Sequence, residues 1–171
     1  MRGVFGLRLR RSLGTWIGST LALCPTIGVA ADAQYSPEVP QVWLNPGFLS
    51  YHADRSKHFR EDNFGFGAEV IFARDHGFFA GSYINSDRSR SHYAMYQWRP
   101  LHWRPEGIDV SAGLGIGGVN GYRTYRDGGW GFGALPMFFF EGKRLGTNLV
   151  IVPGREADKR LVAIQLKVRV W

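Results

Sequence analysis

GFFAGSYINSDRSRSHYAMYQW, residues 77–98, is the stretch on which the reading of this chain turns. Phe78, Ala80, Ser82 and Ile84 share one parity on its first arm, and Phe79, Gly81, Tyr83 and Asn85 the other. On the second arm His92, Ala94, Tyr96 and Trp98 oppose Tyr93, Met95, Gln97 and Arg99. A period of two belongs to strands, because successive side chains leave a pleated backbone on opposite faces. Between the arms, residues 85–91 carry Asn, Ser, Asp and Arg, the side chains of a polar bend. Aromatic residues stand on both faces of this hairpin, so neither face is a simple water-facing surface.

The same alternation recurs on either side. In residues 63–73, Phe64, Phe66, Ala68, Val70 and Phe72 oppose Gly65, Gly67, Glu69 and Ile71. In residues 108–118, Ile108, Val110, Ala112, Leu114 and Ile116 oppose Asp109 and Ser111 and the glycines 113, 115 and 117. Those glycines have no helix pattern or Lys-Ser/Thr pair behind them, so they read as strand glycines and not a phosphate-cradling loop. In residues 162–170, Val162, Ile164, Leu166, Val168 and Val170 oppose Gln165, Lys167 and Arg169. Trp171 continues the parity of the charged set, which is anomalous for a terminal aromatic. With strands at 42–51, 130–140 and 145–152, the count reaches about eight, each near the length a tilted spanning strand needs. A turn or bulge is expected at Asn45-Pro46-Gly47, and a connector with two Pro and two Trp at residues 98–107. Large aromatics on one face and glycines on the other suit lipid outside and a crowded lumen inside. The expected fold is all-β: a single eight-stranded antiparallel up-and-down transmembrane β-barrel. Its long loops, at 52–62, near Ser86, at 119–129 and at 153–160, gather at one end.

The chain has 171 residues and a net charge of +7. Residues 1–33 have the order of a secretory signal peptide: a basic start, an uncharged apolar run, and small residues at Ala31-Asp32-Ala33. Residues 34–171 are then the barrel domain, in the outer membrane. Setting aside the leader's four arginines and one aspartate leaves +4, and the single cysteine, Cys24, goes with it. That modest excess suits anionic lipid phosphates better than nucleic acid. No later run is long and apolar enough for a transmembrane helix. The histidines show no ligand-like pairing, so neither metal nor cofactor is expected. The expected partners are membrane lipids, phospholipid and lipid A, met by a monomer.

Several short motifs occur in order: Tyr51-His52-Ala53 before a charged loop, Phe64-Gly65-Phe66-Gly67, Asn85-Ser86, Trp103-Arg104-Pro105, Leu114-Gly115-Ile116-Gly117 and Pro153-Gly154. In this order the chain resembles the PagP family, the outer-membrane lipid A palmitoyltransferases. The resemblance implies an eight-stranded barrel that moves an acyl chain, usually palmitoyl, from phospholipid to lipid A. It implies a reactive His at His52 and a reactive Ser at Ser86. The family's essential Asp falls on Asn85.

The reaction that the resemblance implies gives these residues roles. Acyl transfer needs a proton acceptor, a group that orients it, and stabilisation of the oxyanion. His52 is the candidate base, Ser86 a nucleophile or hydrogen-bond donor, and Asn85 a donor to the oxyanion. Asp87 or Asp54 is the candidate carboxylate to orient the imidazole. Arg88, Arg90 and His92 form a candidate basic rim for lipid phosphates. Pro136 and Pro153 delete ladder hydrogen bonds and are candidates for a lateral gate. Two other functions fit the same pattern: a structural or adhesive barrel without enzymatic activity, and a lipid A deacylase in which water replaces the acceptor alcohol.

Overall fold

A computed structural model describes residues 40–123, 125–154 and 160–171. The expected leader lies outside the described residues. Eight strands follow one another: β1 (Gln41–His52), β2 (Asp62–Ala73), β3 (His76–Ile84), β4 (Arg90–Trp103), β5 (Asp109–Val119), β6 (Gly131–Glu141), β7 (Leu145–Val152) and β8 (Leu161–Arg169). Each pairs antiparallel with the next, and β8 returns to β1, so the sheet is a closed barrel. The opening hairpin is β3–β4, paired from His76↔Trp98 to Ile84↔Arg90. Short links at 74–75, 104–108 and 142–144 occupy one end, the turn end. The links at 53–61, 85–89, 120–130 and 153–160 occupy the other, the loop end.

Two expectations are corrected. The connector placed at 98–107 is mostly strand: β4 runs on to Trp103, and a register shift between Trp98 and Leu101 accommodates exposed Pro100. The remaining link is five residues with a 3-10 turn at Pro105–Gly107, as short as a turn-end connection should be. Trp171 lies two residues past the end of β8, and its carbonyl accepts from the Val42 N–H. Strand alternation no longer applies to it, which removes the parity anomaly.

The outward face is apolar. On β2 it is Phe64, Phe66, Ala68, Val70 and Phe72; on β8 it is Val162, Ile164, Leu166 and Val168. Phe66, Phe132 and Leu145 are each about two-thirds exposed or more. A soluble monomer rarely shows so continuous an apolar band.

The lumen is layered. Next to the loop end, Phe48 packs edge-on against Tyr83 and Tyr93, at 5.1 and 5.3 Å between ring centres. Phe79, Met95, Met137, Val150 and Ala163 continue this apolar layer. Below it the filling becomes polar. Gln165 donates to the Tyr93 hydroxyl, and Asn148 donates to Gln165 and Glu69. At the turn end Lys167 bridges Glu69 and Glu141 at 2.7 and 2.6 Å, and Arg99 meets Glu141 at 2.5 Å. Two cations and two carboxylates neutralise one another out of water, as buried charges must. This buried cluster of four charges lies in the turn-end half of the lumen.

One bulge determines what reaches the loop end. Gln41, Trp43 and Asn45 point inward, so in a regular strand every odd residue would. The β1–β2 register slips between Asn45 and Gly47. Beyond it Phe48 and His52 point inward, while Leu49 and Tyr51 are exposed. Gly47 takes φ +105, and a Cβ there would lie 2.3 Å from the Asn63 carbonyl oxygen. Against β8, β1 advances five residues from Leu44 to Leu49 while its partner advances four from Val168 to Ile164, and one extra residue inverts the parity after it. Without it the His52 side chain would face outward.

Candidate active site

His52 ends β1, and with its parity inverted its ring enters the barrel mouth, 3% exposed. Ser86 stands in the β3–β4 loop, also buried. Its Oγ lies 3.0 Å from His52 Nε2, a hydrogen-bond distance between a hydroxyl and an imidazole. The two residues are 34 apart in sequence, and only the folding of two hairpins brings them together. Phe59 packs against the far face of the imidazole at 4.6 Å between ring centres. The Arg60 N–H donates to the Ser86 carbonyl at 3.2 Å, fixing the two loops to each other.

Asn85 is fully buried and builds the loop that holds Ser86. Its Oδ1 accepts the Asp87 and Ser89 N–H groups, each at 2.9 Å. Its Nδ2 donates to Ser91 Oγ and to the Gly121 carbonyl, both at 2.9 Å. An amide nitrogen has two hydrogens, and both are committed. Asn85 therefore has no hydrogen left for an oxyanion; it orders this turn and ties it to the 120–130 loop.

Of the two carboxylates considered as orienting groups, Asp54 is turned to another task. Its Oδ1 accepts the Ser56 N–H and hydroxyl at 2.9 and 2.6 Å, capping the 3-10 turn Arg55–Lys57. Asp87 lies near enough to bear electrostatically on His52, though less than the other charged neighbours do.

The carboxylate against the imidazole is Glu61, which the sequence reading passed over. Its Oε1 accepts the His52 backbone N–H at 3.2 Å and lies 3.7 Å from His52 Nδ1. Arg55 pairs with the same oxygen, with its guanidinium 4.9 Å from the centre of the Tyr51 ring. Burial pushes the Glu61 carboxyl up, but Arg55 and the His52 N–H outweigh that and hold it below its ordinary value. A recess of about 250 Å³ opens beside this group, lined by His52, Asp54, Arg55, His58, Phe59 and Glu61. Two signals for Glu61 were present in the sequence: the bulge that turns His52 inward, and a hairpin register that sets Glu61 opposite Ser50, whose N–H it accepts at 2.8 Å.

Arg88, Arg90 and His92 are all exposed at the loop end, with Arg90 donating to Ser82 Oγ at 3.3 Å. Pro136 lies inside β6 and Pro153 one residue past β7. The β6–β7 ladder spans only Met137↔Val150 to Glu141↔Gly146. Gly131–Pro136 thus have no register partner on β7, and the two prolines flank the unpaired part. Gly133 shares the inward parity of Met137 and Phe139, and a Cβ there would meet no atom within 4 Å. Among the described residues the β6–β7 ladder is therefore short toward the loop end, and exposed Gly133 faces open space there.

Comparison of the chain with protein-family models and with curated proteins finds no match in either.

Proposed function

We propose that this barrel is an outer-membrane acyltransferase that takes an acyl chain from a phospholipid and passes it to lipid A, as its resemblance to the PagP family suggests. The observation that carries the reading is the buried Ser86–His52 hydrogen bond directly above an apolar lumen. A structural barrel has no need of a nucleophile–base pair poised over an apolar layer. Had Glu69, Lys167 and their partners filled the lumen from end to end, the structural reading would have been favoured instead.

The gap beside Pro136 gives a phospholipid chain a lateral path, and the space at Gly133 gives it somewhere to lie. Arg88, Arg90 and His92 would meet phosphate groups at the rim. In the reaction, Ser86 Oγ attacks the ester carbonyl and its proton passes to His52 Nε2. The tetrahedral intermediate collapses, and the departing glycerol oxygen recovers that proton as lysophospholipid leaves. A lipid A hydroxyl then gives its proton to Nε2, attacks the acyl-serine and restores the Ser86 hydroxyl. Both steps balance with no added cofactor.

The test is mass spectrometry of lipid A from cells with and without the protein. A gain of one acyl chain, lost in Ser86→Ala and His52→Gln, supports transfer. A loss of one chain would replace this reading with deacylation. No change, with the barrel folded and present, would leave it a structural protein.

A further inference from the structure

For Nε2 to accept the Ser86 proton, the neutral imidazole must carry its hydrogen on Nδ1. Nδ1 is buried and makes no hydrogen bond, although a carboxylate oxygen stands 3.7 Å away. That oxygen is already fixed by the His52 backbone N–H, four bonds from the ring it faces. A shift of about 0.7 Å would bring it within ordinary hydrogen-bond reach, and such contacts commonly tighten when substrate binds.

We propose that Glu61 is the positioning carboxylate of this site, holding His52 with its hydrogen on Nδ1 so that Nε2 faces Ser86. The role that the PagP resemblance places beside the serine, where this chain has Asn85, is thereby supplied from the opposite loop. Arg55 keeps the carboxylate ionised and anchored, and its exposed guanidinium stands at the edge of the 250 Å³ recess. The groups facing His52 are Glu61, Arg55, Asp54 and His58 from the first loop and Asp87 from the second. Glu61 combines negative charge with a contact to the imidazole and a hydrogen bond from the same residue's backbone N–H. The proposal rests on the acyl-transfer reading for its purpose, but its geometry can be tested without any activity.

The experiment is a pH titration of the imidazole nitrogens by NMR, on the full barrel refolded in detergent micelles, with the His52 signals assigned from their loss in His52→Gln. The neutral His52 ring is expected as the Nδ1–H tautomer. In Glu61→Gln the imidazolium loses its counter-charge, so His52 should give up its proton at a pH lower by about one unit. The neutral tautomer should also become mixed. Asp87→Asn should move the titration by less. Predominant Nε2–H in the unsubstituted protein would overturn the proposal. So would an unmoved titration in Glu61→Gln, or a larger shift in Asp87→Asn. If lipid A acylation is present, Glu61→Gln should lower kcat by about 10²-fold with little change in KM, and should move the acid limb of the profile down with the His52 titration. An unchanged kcat there overturns the positioning role. If no acylation is found while the NMR pattern holds, the acyltransferase reading falls and the Glu61–His52 pairing stands.

Discussion

Replacing Lys167 by Met removes one of two cations from a cluster that also holds two carboxylates. Lys167 is 2% exposed, with its Nζ 2.7 Å from Glu69 and 2.6 Å from Glu141. Glu141 would keep Arg99 at 2.5 Å. Glu69 would keep only the Asn148 amide at 2.6 Å and an Arg99 nitrogen at 3.8 Å. The damage therefore falls on Glu69, left as a buried carboxylate with one distant cation. Methionine fills most of the lysine stem, so the cavity contribution is small, although the ammonium's seat 4.8 Å from the centre of the Trp43 ring is lost. Breaking one partner of a buried pair costs about 3–5 kcal/mol, and the residual Arg99 contact argues for the low end, about 3 kcal/mol. Adding Glu69→Gln restores neutrality and keeps the shape, so the double variant should recover about 2 kcal/mol of that loss. Guanidinium unfolding in micelles, followed by tryptophan emission, measures the cycle. A Lys167→Met cost below about 0.5 kcal/mol, or a double variant no more stable than the single, would refute the claim that charge neutrality holds the turn-end floor together.

Asn85→Asp, which recreates the carboxylate that the PagP resemblance leads one to expect, should lower acyl transfer and not raise it. It sets a carboxylate against the Gly121 carbonyl and forfeits two donated hydrogen bonds, at a cost of about 1–3 kcal/mol to the loop pair, read as a lower unfolding midpoint. Gly133→Phe should fill the space behind the β6–β7 gap and cut lipid A acylation about tenfold or more, with the folded barrel retained on a heat-modifiability gel. Gly47→Ala should destabilise the barrel by about 1–3 kcal/mol, because no Cβ fits at φ +105 beside the Asn63 carbonyl; denaturant titration checks it.

The strands were legible because an apolar outer face and a filled lumen impose a strict period of two, and residues 63–73 and 162–168 show it without a break. The turn-end floor was half legible: Glu69, Lys167 and Gln165 stood out as polar residues of inward parity, but nothing in one strand's sequence says which charge on another strand it will meet. Glu69 and Lys167 are 98 residues apart. Asn85 was misjudged for a different reason. An Asn beside a Ser invites a chemical role, whereas its four hydrogen bonds are the commitments of a buried turn residue, visible only once the 120–130 loop is beside it. Boundaries failed where proline was taken for an end. Pro100 is accommodated in β4 by a register shift, so a long strand looked like a connector.

Glu61 shows where counting along the chain had more to give. A strand's parity is reliable only until a bulge, and Asn45-Pro46-Gly47 marks one in the sequence itself. Carrying the inverted parity forward puts Phe48, Ser50 and His52 inside and Tyr51 outside, as observed. The hairpin then fixes what lies opposite: Leu49 pairs with Asp62, so Ser50 stands across from Glu61 and His52 rises just above it. The same one-residue insertion thus accounts for two features at once. It turns the imidazole from the outer face to the lumen, and it brings that imidazole level with Glu61, the loop residue that directly precedes β2. A site assembled this way depends on the wall of the barrel as well as on its loops. Damage at Gly47, near the middle of β1, should therefore reach the loop-end chemistry even where every loop residue is intact.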